Sequence, residues 1–285
     1  MTQRTFLLGD QWLYYKIYTG VNTADTLLTE SILPLTQQLQ KEGIIDKWFF
    51  IRYSDPDFHL RIRFHLLDLS NLGELIIRFK KAMQTYIDND LVWKVQTDTY
   101  KRELERYGIY IYNDIETIFH IDSQTVLALL DMIEGEEGEE IRWLFGLKSI
   151  DNLLNMFFQS DVEKKLSFIK NLADAFAMEF NMNKYLRKQI NNKYKLHQEK
   201  IEIFINTPEK LPDYKPLFDL LQQRDQKMVA ILQQTEIVER VLGSITHMMI
   251  NRLFRSQNRL FEMLLYQFLF LYYRKQLALK NIYKK

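Results

Sequence analysis

The chain has no cysteine, and only nine glycines and five prolines in 285 residues. Without cysteine there are no disulfides, no thiolate nucleophile and no cysteine zinc site, a composition that suits a reducing cytoplasm. With so few glycines there is no GxGxxG and no Walker loop, so neither a dinucleotide nor a P-loop site is indicated. HExxH and the GxSxG elbow are also missing. The five histidines fall at 59, 65, 120, 197 and 247. His59 and His65 share a strand face but stand too far apart to share a metal. No charge of one sign dominates: 38 basic against 37 acidic side chains leave a net +1, which gives no electrostatic footprint for nonspecific nucleic-acid binding. Long apolar runs are missing too. The greasiest stretch, 260–273, is too short to cross a bilayer and is interrupted by Glu262 and Gln267, so it reads as a buried helix. The N-terminus lacks a signal-peptide pattern. A cytoplasmic protein without membrane insertion, metal or cofactor is expected.

Hydrophobic residues make up 47% of the chain, with 16 Tyr and 19 Phe, enough for a substantial core in one large domain or two modest ones. The organising stretch is 59–66, HLRIRFHL. In a strand, Leu60, Ile62, Phe64 and Leu66 fall on one face, and His59, Arg61, Arg63 and His65 on the other. The apolar face can seat on a core. The other carries two arginines whose stems emerge about 7 Å apart. Guanidinium stays charged and grips carboxylate or phosphate with a two-pronged fork, so this face is a candidate site for a small dianion. A basic solvated strand face is the competing reading.

The first hundred residues alternate between strand and helix signals: strands over 11–18, 47–53, 59–66 and 91–102, and helices over 25–41 and 71–88. Pro34 predicts a kink or a late start in the first helix. Ser54-Asp55-Pro56-Asp57 is a turn signal. The order β-α-β-β-α-β is the split unit of ferredoxin-like folds, whose helices cover one sheet face and leave the other open. Beyond it, helices are predicted over 113–119 and 123–133, an acidic loop over 134–138, and then helices over 161–180, 183–205, 217–240 and 241–279, the last with a break near Gly243. The fold class is therefore α+β, a single domain over 1–285 with an α+β sheet unit in 1–110 and a helical region in 111–285. The helix over 183–205 carries Lys184, Arg187, Lys188, Lys193 and Lys195, which read as a solvated basic face.

Three further groups stand out. Arg102 and Arg106 lie in RELERYG, where Glu103 and Glu105 offer them ordinary surface pairing. Tyr100 and Arg102 share a strand face, but alternation alone does not say whether it is the face of Arg61 and Arg63. In the last long helix, His247 has Asn251 one turn on and Arg252 beside it, a polar group within an apolar stripe.

WLYYKIY (12–18), WFFIRYSDPDFHLRIRF (48–64), YKRELERYG (100–108), Glu116 with Asp122-Ser123, and SITHMMINR (244–252) together resemble the C-terminal domain of class I lantibiotic dehydratases, also called the thiopeptide-type bacteriocin biosynthesis domain. The resemblance extends across nearly the whole chain and implies the split form, in which elimination is a separate protein. It implies a substrate, a precursor peptide glutamylated on Ser or Thr, and a lyase reaction that expels glutamate to leave dehydroalanine or dehydrobutyrine, with no metal or redox cofactor. It implies a partner, a separate glutamyl-tRNA-dependent glutamylating subunit, and no direct nucleic-acid contact. The family's arginines match Arg61, Arg63 and Arg102, which would hold the glutamyl group, and its histidine matches His247, which would move the proton as base or acid. Asn251, Arg252 and His59 are further substrate-binding candidates, with Arg52 behind them. Two alternatives share the resemblance: a pyridine-forming cycloaddition enzyme of the same fold, and a non-catalytic protein that holds the precursor peptide for a partner dehydratase.

Overall fold

A computed structural model describes residues 2–235 and 237–283. The chain divides into two compact units. The first comprises Met1–Met132, Thr235–Ile237 and Asn251–Ser256, and the second Ile133–Gln234, Val238–Ile250 and Gln257–Lys285. The expected boundary between sheet and helical regions at 110/111 thus moves to 132/133, because the helix after residue 111 belongs with the sheet.

In the first unit the strands are β1 (Thr5–Phe6), β2 (Trp12–Thr19), β3 (Ile45–Ser54), β4 (Phe58–Leu66), β5 (Val92–Thr97) and β6 (Tyr100–Lys101). Its helices are α1 (Val21–Leu27), α2 (Leu33–Lys41), α3 (Leu72–Asp88), α4 (Leu104–Tyr107) and α5 (Tyr112–Met132). The four long strands form one antiparallel sheet in the order β3-β4-β2-β5, and β1 pairs with β6 in a separate ribbon. The β-α-β-β-α-β unit is therefore present. The strand expected over 91–102 instead breaks at Asp98-Thr99, and its second half leaves the sheet to pair with β1. Pro34 lacks the N–H a continuous helix needs, and a π-helical turn over Leu28–Ile32 joins α1 to α2 just before it.

Alternation sets the two sheet faces. Leu60, Ile62, Phe64 and Leu66 are fully buried with Leu13, Tyr15 and Ile17. Phe79 of α3 stacks flat on Tyr15 there, with centroids 3.9 Å apart. The polar face of β4 lies on the other side, where Phe6 and Tyr100 of the β1–β6 ribbon stack together and Tyr100 meets the edge of Trp12.

The second unit holds α6 (Gly135–Phe158), α7 (Val162–Glu179), α8 (Lys184–Asn206), α9 (Lys215–Gln234), most of α10 (Glu239–Leu253) and α11 (Asn258–Tyr283). Asp161 and Asn183 cap α7 and α8, each accepting two backbone N–H groups. Four expectations change here and at the end of the first unit. The two helices expected over 113–133 are one, α5. The acidic stretch expected as a loop is the first turn of α6. The break expected near Gly243 falls after Leu253, and the helix expected over 217–240 ends at Gln234, with Glu236 outside the described residues. Among the described residues no helix is long and apolar enough to cross a membrane.

Candidate active site

Strand register arranges the open face of the sheet as a ladder of four rungs across β2, β4 and β3. Tyr18, His59 and Tyr53 form the first, Lys16, Arg61 and Ile51 the second, Tyr14, Arg63 and Phe49 the third, and Trp12, His65 and Lys47 the last. Arg63 is caged by rings. Its guanidinium carbon lies 4.3 Å from the Tyr14 ring centroid, 4.8 Å from Tyr100 and 5.1 Å from Phe49. Its Nε and Nη1 are buried without a hydrogen-bond acceptor. The register that alternation left open is thus settled: Tyr100 stands over the arginine face. Arg61 lies flat on Tyr53, 3.4 Å from the ring centroid, and donates from Nε to His59 Nε2 at 3.0 Å.

Neither arginine has a carboxylate within 4.0 Å among the described residues. This separates them from the other arginines of the unit. Arg52 meets Asp25 at 2.6 Å, Arg252 meets Asp122 at 3.0 Å, Arg255 meets Asp25 at 2.6 Å, and Arg102 meets Glu116 at 2.5 Å. On the same face, Lys16 is paired with Asp98, and His65 donates to Asp46 at 2.6 Å. Burial raises the Tyr14 phenol above its usual range against the pull of Arg63, Arg61 and Lys16, so it stays neutral beside the arginines.

Arg102 does not share their condition. It is buried, and Glu116 receives two of its N–H groups at 2.8 and 2.5 Å. Asn113 Oδ1 and the Gln3 carbonyl take others at 2.7 and 3.0 Å. The same Glu116 accepts the Tyr100 hydroxyl at 2.7 Å. Arg102 therefore reaches Arg63 through a chain of contacts, by way of Glu116 and the Tyr100 ring. Arg106, one turn on, is the more open of the two, with a side chain 41% exposed and Glu103 3.3 Å away.

Asn251 and Arg252 hold the outer edge of the sheet. β3 is an edge strand, and its backbone would be unpaired along one side. His120 Nδ1 faces the Trp48 backbone, 2.9 Å from its carbonyl oxygen, and Ser123 receives the Phe50 N–H at 3.3 Å. Asn251 receives the Arg52 N–H and donates to the Arg52 carbonyl, both at 2.9 Å, as a neighbouring strand would. Arg252 Nε donates to the Phe50 carbonyl at 2.9 Å. These bonds hold both side chains at the sheet edge, where the substrate-binding candidates Asn251 and Arg252 are engaged with the backbone of β3. Arg52 lies on the helix-covered face, in register with Leu60 and away from Arg61.

His247 belongs to the second unit. Its Nδ1 lies 2.9 Å from Glu262 Oε2, and its side chain is 26% exposed. Glu262 is buried and also receives Arg259 Nη1 and the Tyr266 hydroxyl, each at 3.0 Å. A carboxylate on Nδ1 fixes the proton there and leaves the Nε2 lone pair for exchange. Glu262 was the residue that sequence reasoning passed over. Its signal was present: it is the lone acid inside the most apolar stretch of the chain. Among the described residues, no three His, Asp or Glu side chains gather as a metal site.

The chain is 27% identical over 261 residues to nisin biosynthesis protein NisB of Lactococcus lactis subsp. lactis, covering 88% of this chain and 24% of that protein. It is 24% identical over 264 residues to subtilin biosynthesis protein SpaB of Bacillus subtilis, again covering 88% of this chain and 24% of SpaB. The chain thus spans about a quarter of the length of the curated relatives it matches. Among solved structures, the tRNA dependent lantibiotic dehydratase MibB from Microbispora sp. 107891 superposes with a TM-score of 0.74 at 19% identity, over 96% of this chain and 29% of MibB. The pyridine synthase TbtD from thiomuracin biosynthesis superposes with a TM-score of 0.63 at 12% identity, over 93% of this chain and 99% of TbtD. These two show a shared fold. The family described as lantibiotic biosynthesis dehydratase C-term matches residues 12–273, and the chain belongs to that family.

Proposed function

We propose that this chain eliminates glutamate from O-glutamylated Ser or Thr of a ribosomally made precursor peptide, leaving dehydroalanine or dehydrobutyrine. The observation that carries the reading is the pair Arg61 and Arg63, adjacent on one strand face and without carboxylate partners among the described residues. In the reaction the α-proton of the modified residue is removed. Its electron pair forms the Cα=Cβ bond, the Cβ–O bond breaks, and the glutamate oxygen leaves with the electrons. Negative charge grows on that oxygen in the transition state, which is where a preorganised cation lowers the barrier. Two guanidinium cations whose stems emerge about 7 Å apart on one strand face repel each other. The departing glutamate, with two carboxylates, relieves that repulsion.

Proton transfer falls to His247, whose Nε2 acts as the base while Glu262 stabilises the imidazolium that forms. Arg102 supports the cage through Glu116 and Tyr100. The glutamylated peptide comes from a tRNA-dependent glutamylating dehydratase, the second partner besides the precursor itself. A pyridine-forming cycloaddition has no glutamate to receive, so the arginine pair favours elimination. Purified protein incubated with a chemically glutamylated peptide should release free glutamate, with the matching mass loss from the peptide. Binding of that peptide with no mass loss makes the chain a peptide-holding protein and overturns the proposal.

A further inference from the structure

His59 is completely buried, yet the positions of its protons can be read from its neighbours. Nδ1 lies 2.8 Å from the Asp57 carbonyl oxygen, which can only accept. Nε2 lies 3.0 Å from Arg61 Nε, which can only donate. The ring is therefore neutral, with its proton on Nδ1 and its lone pair on Nε2. With Nε held by His59 and the guanidinium face on Tyr53, Arg61 presents its two Nη groups as the remaining fork. We propose that His59 is a positioning residue: it aims the Nη fork of Arg61 at the leaving glutamate only while its imidazole is neutral, so proton uptake by His59 releases the arginine. The inference deepens the elimination reading and rests on it.

Protonation would set two donors, Nε2–H and the Arg61 Nε–H, against each other at 3.0 Å. The surroundings oppose it. Burial pushes the imidazole below its ordinary range, Arg61 and Lys16 push the same way, and the Asp57 carbonyl pulls back, with Asp55 of the same turn a weaker pull. Tyr18 of β2 stacks on one side of the ring at 4.7 Å and Tyr53 of β3 packs at 5.5 Å. The Lys94 ammonium of β5 lies 5.0 Å from the Tyr18 ring centroid. No carboxylate within 4.0 Å of the imidazole compensates a charge on it among the described residues.

The test uses His59→Gln and His59→Phe in the intact chain. Gln offers Arg61 an acceptor that does not titrate, and Phe keeps the stack without one. With glutamylated peptide, the acid-side fall of wild-type kcat/KM should include one proton taken by His59. H59Q, whose amide still offers Arg61 an acceptor, should fall on the acid side with one proton fewer than wild type. H59F should lose about ten- to hundredfold at pH 8, with the fold intact by circular dichroism. An H59Q profile with the same proton dependence as wild type, or an H59F variant equal to wild type, overturns the clamp. If wild type releases no glutamate at any pH, the elimination reading fails by itself. The clamp is then decided by nitrogen-15 NMR of the histidine rings, with H59Q identifying the signal. A neutral ring protonated on Nδ1 at pH 7.5 supports it, and one protonated on Nε2, or charged, overturns it.

Discussion

The arginine that looks least like a ligand-binding group gives the sharpest test of how this site is built. Replacing Arg102 with Met keeps the apolar stem and removes four hydrogen bonds: two to Glu116, one to Asn113 and one to the Gln3 carbonyl. Glu116 is 0% exposed and, among the described residues, keeps the Tyr100 hydroxyl. Breaking a buried pair on one side leaves an uncompensated charge and costs about 3–5 kcal/mol. Removing both partners with apolar groups of similar size is close to neutral, so Arg102→Met with Glu116→Leu should recover most of that loss. The assay is urea unfolding followed by tryptophan fluorescence in a Trp143→Phe background, which leaves Trp12, Trp48 and Trp93, all in the first unit. A single-mutant loss below about 1 kcal/mol, or a double mutant as unstable as the sum of the singles, refutes the reasoning. If Arg102→Met is fully stable yet releases no glutamate, Arg102 acts on the substrate directly.

Other outcomes follow from the same geometry. Arg61→Ala and Arg63→Ala should leave folded proteins that accumulate glutamylated peptide by mass spectrometry, each about a hundredfold slower, and Arg61→Lys should not restore the rate because an ammonium has no fork. Glu262→Gln should slow elimination by roughly tenfold or more in a single-turnover assay, since an amide no longer stabilises the His247 imidazolium. Stability should fall as pH drops below about 6.5: the unfolded chain protonates His59 there while the folded chain, with its imidazole pushed down, does not. His59→Gln should remove that part of the slope in urea midpoints measured from pH 8 to pH 5.

Much of the first unit was legible because a half-buried sheet writes its two faces into alternate residues. Leu60, Ile62 and Phe64 against Arg61 and Arg63 is such a record, and it fixed both the core side and the candidate site. What could not be read was whatever depends on a partner far along the chain. β1 is two residues long, too short to alternate, so nothing marked it as the strand that draws Tyr100 over Arg63. Ser123 reads locally as a helix cap, but its hydroxyl receives the Phe50 N–H of an edge strand, and the helix runs through it. Asn251 reads as a free amide near His247, yet its geometry belongs to the backbone of Arg52, 199 residues away. The acidic stretch at 134–138 reads as a loop because glycine is a weak helix former, but the cost per glycine is only about 1 kcal/mol, less than the burial gained by the helix that follows.

The way the sheet holds its two free arginines separates stability from function. A carboxylate beside Arg63 would anchor it well, as Glu116 anchors Arg102, but it would also occupy the fork and repel an incoming dianion. Tyr14, Phe49 and Tyr100 hold it another way. A ring face attracts the cation by about 0.5–2 kcal/mol without carrying a formal charge, so it fixes the guanidinium and leaves its positive potential in place. The same holds for Tyr53 under Arg61, and for His59, which gives a neutral lone pair where a carboxylate would give a charge. Among the described residues, the groups set against the two arginines are thus aromatic faces and a neutral acceptor, while Asp25, Glu116 and Asp122 go to the arginines that build the fold. A surface evolved only to be soluble would pair these charges with acids or turn them to water. Holding them on rings, unneutralised and next to each other, is the arrangement expected of a site whose counter-charge arrives with the substrate.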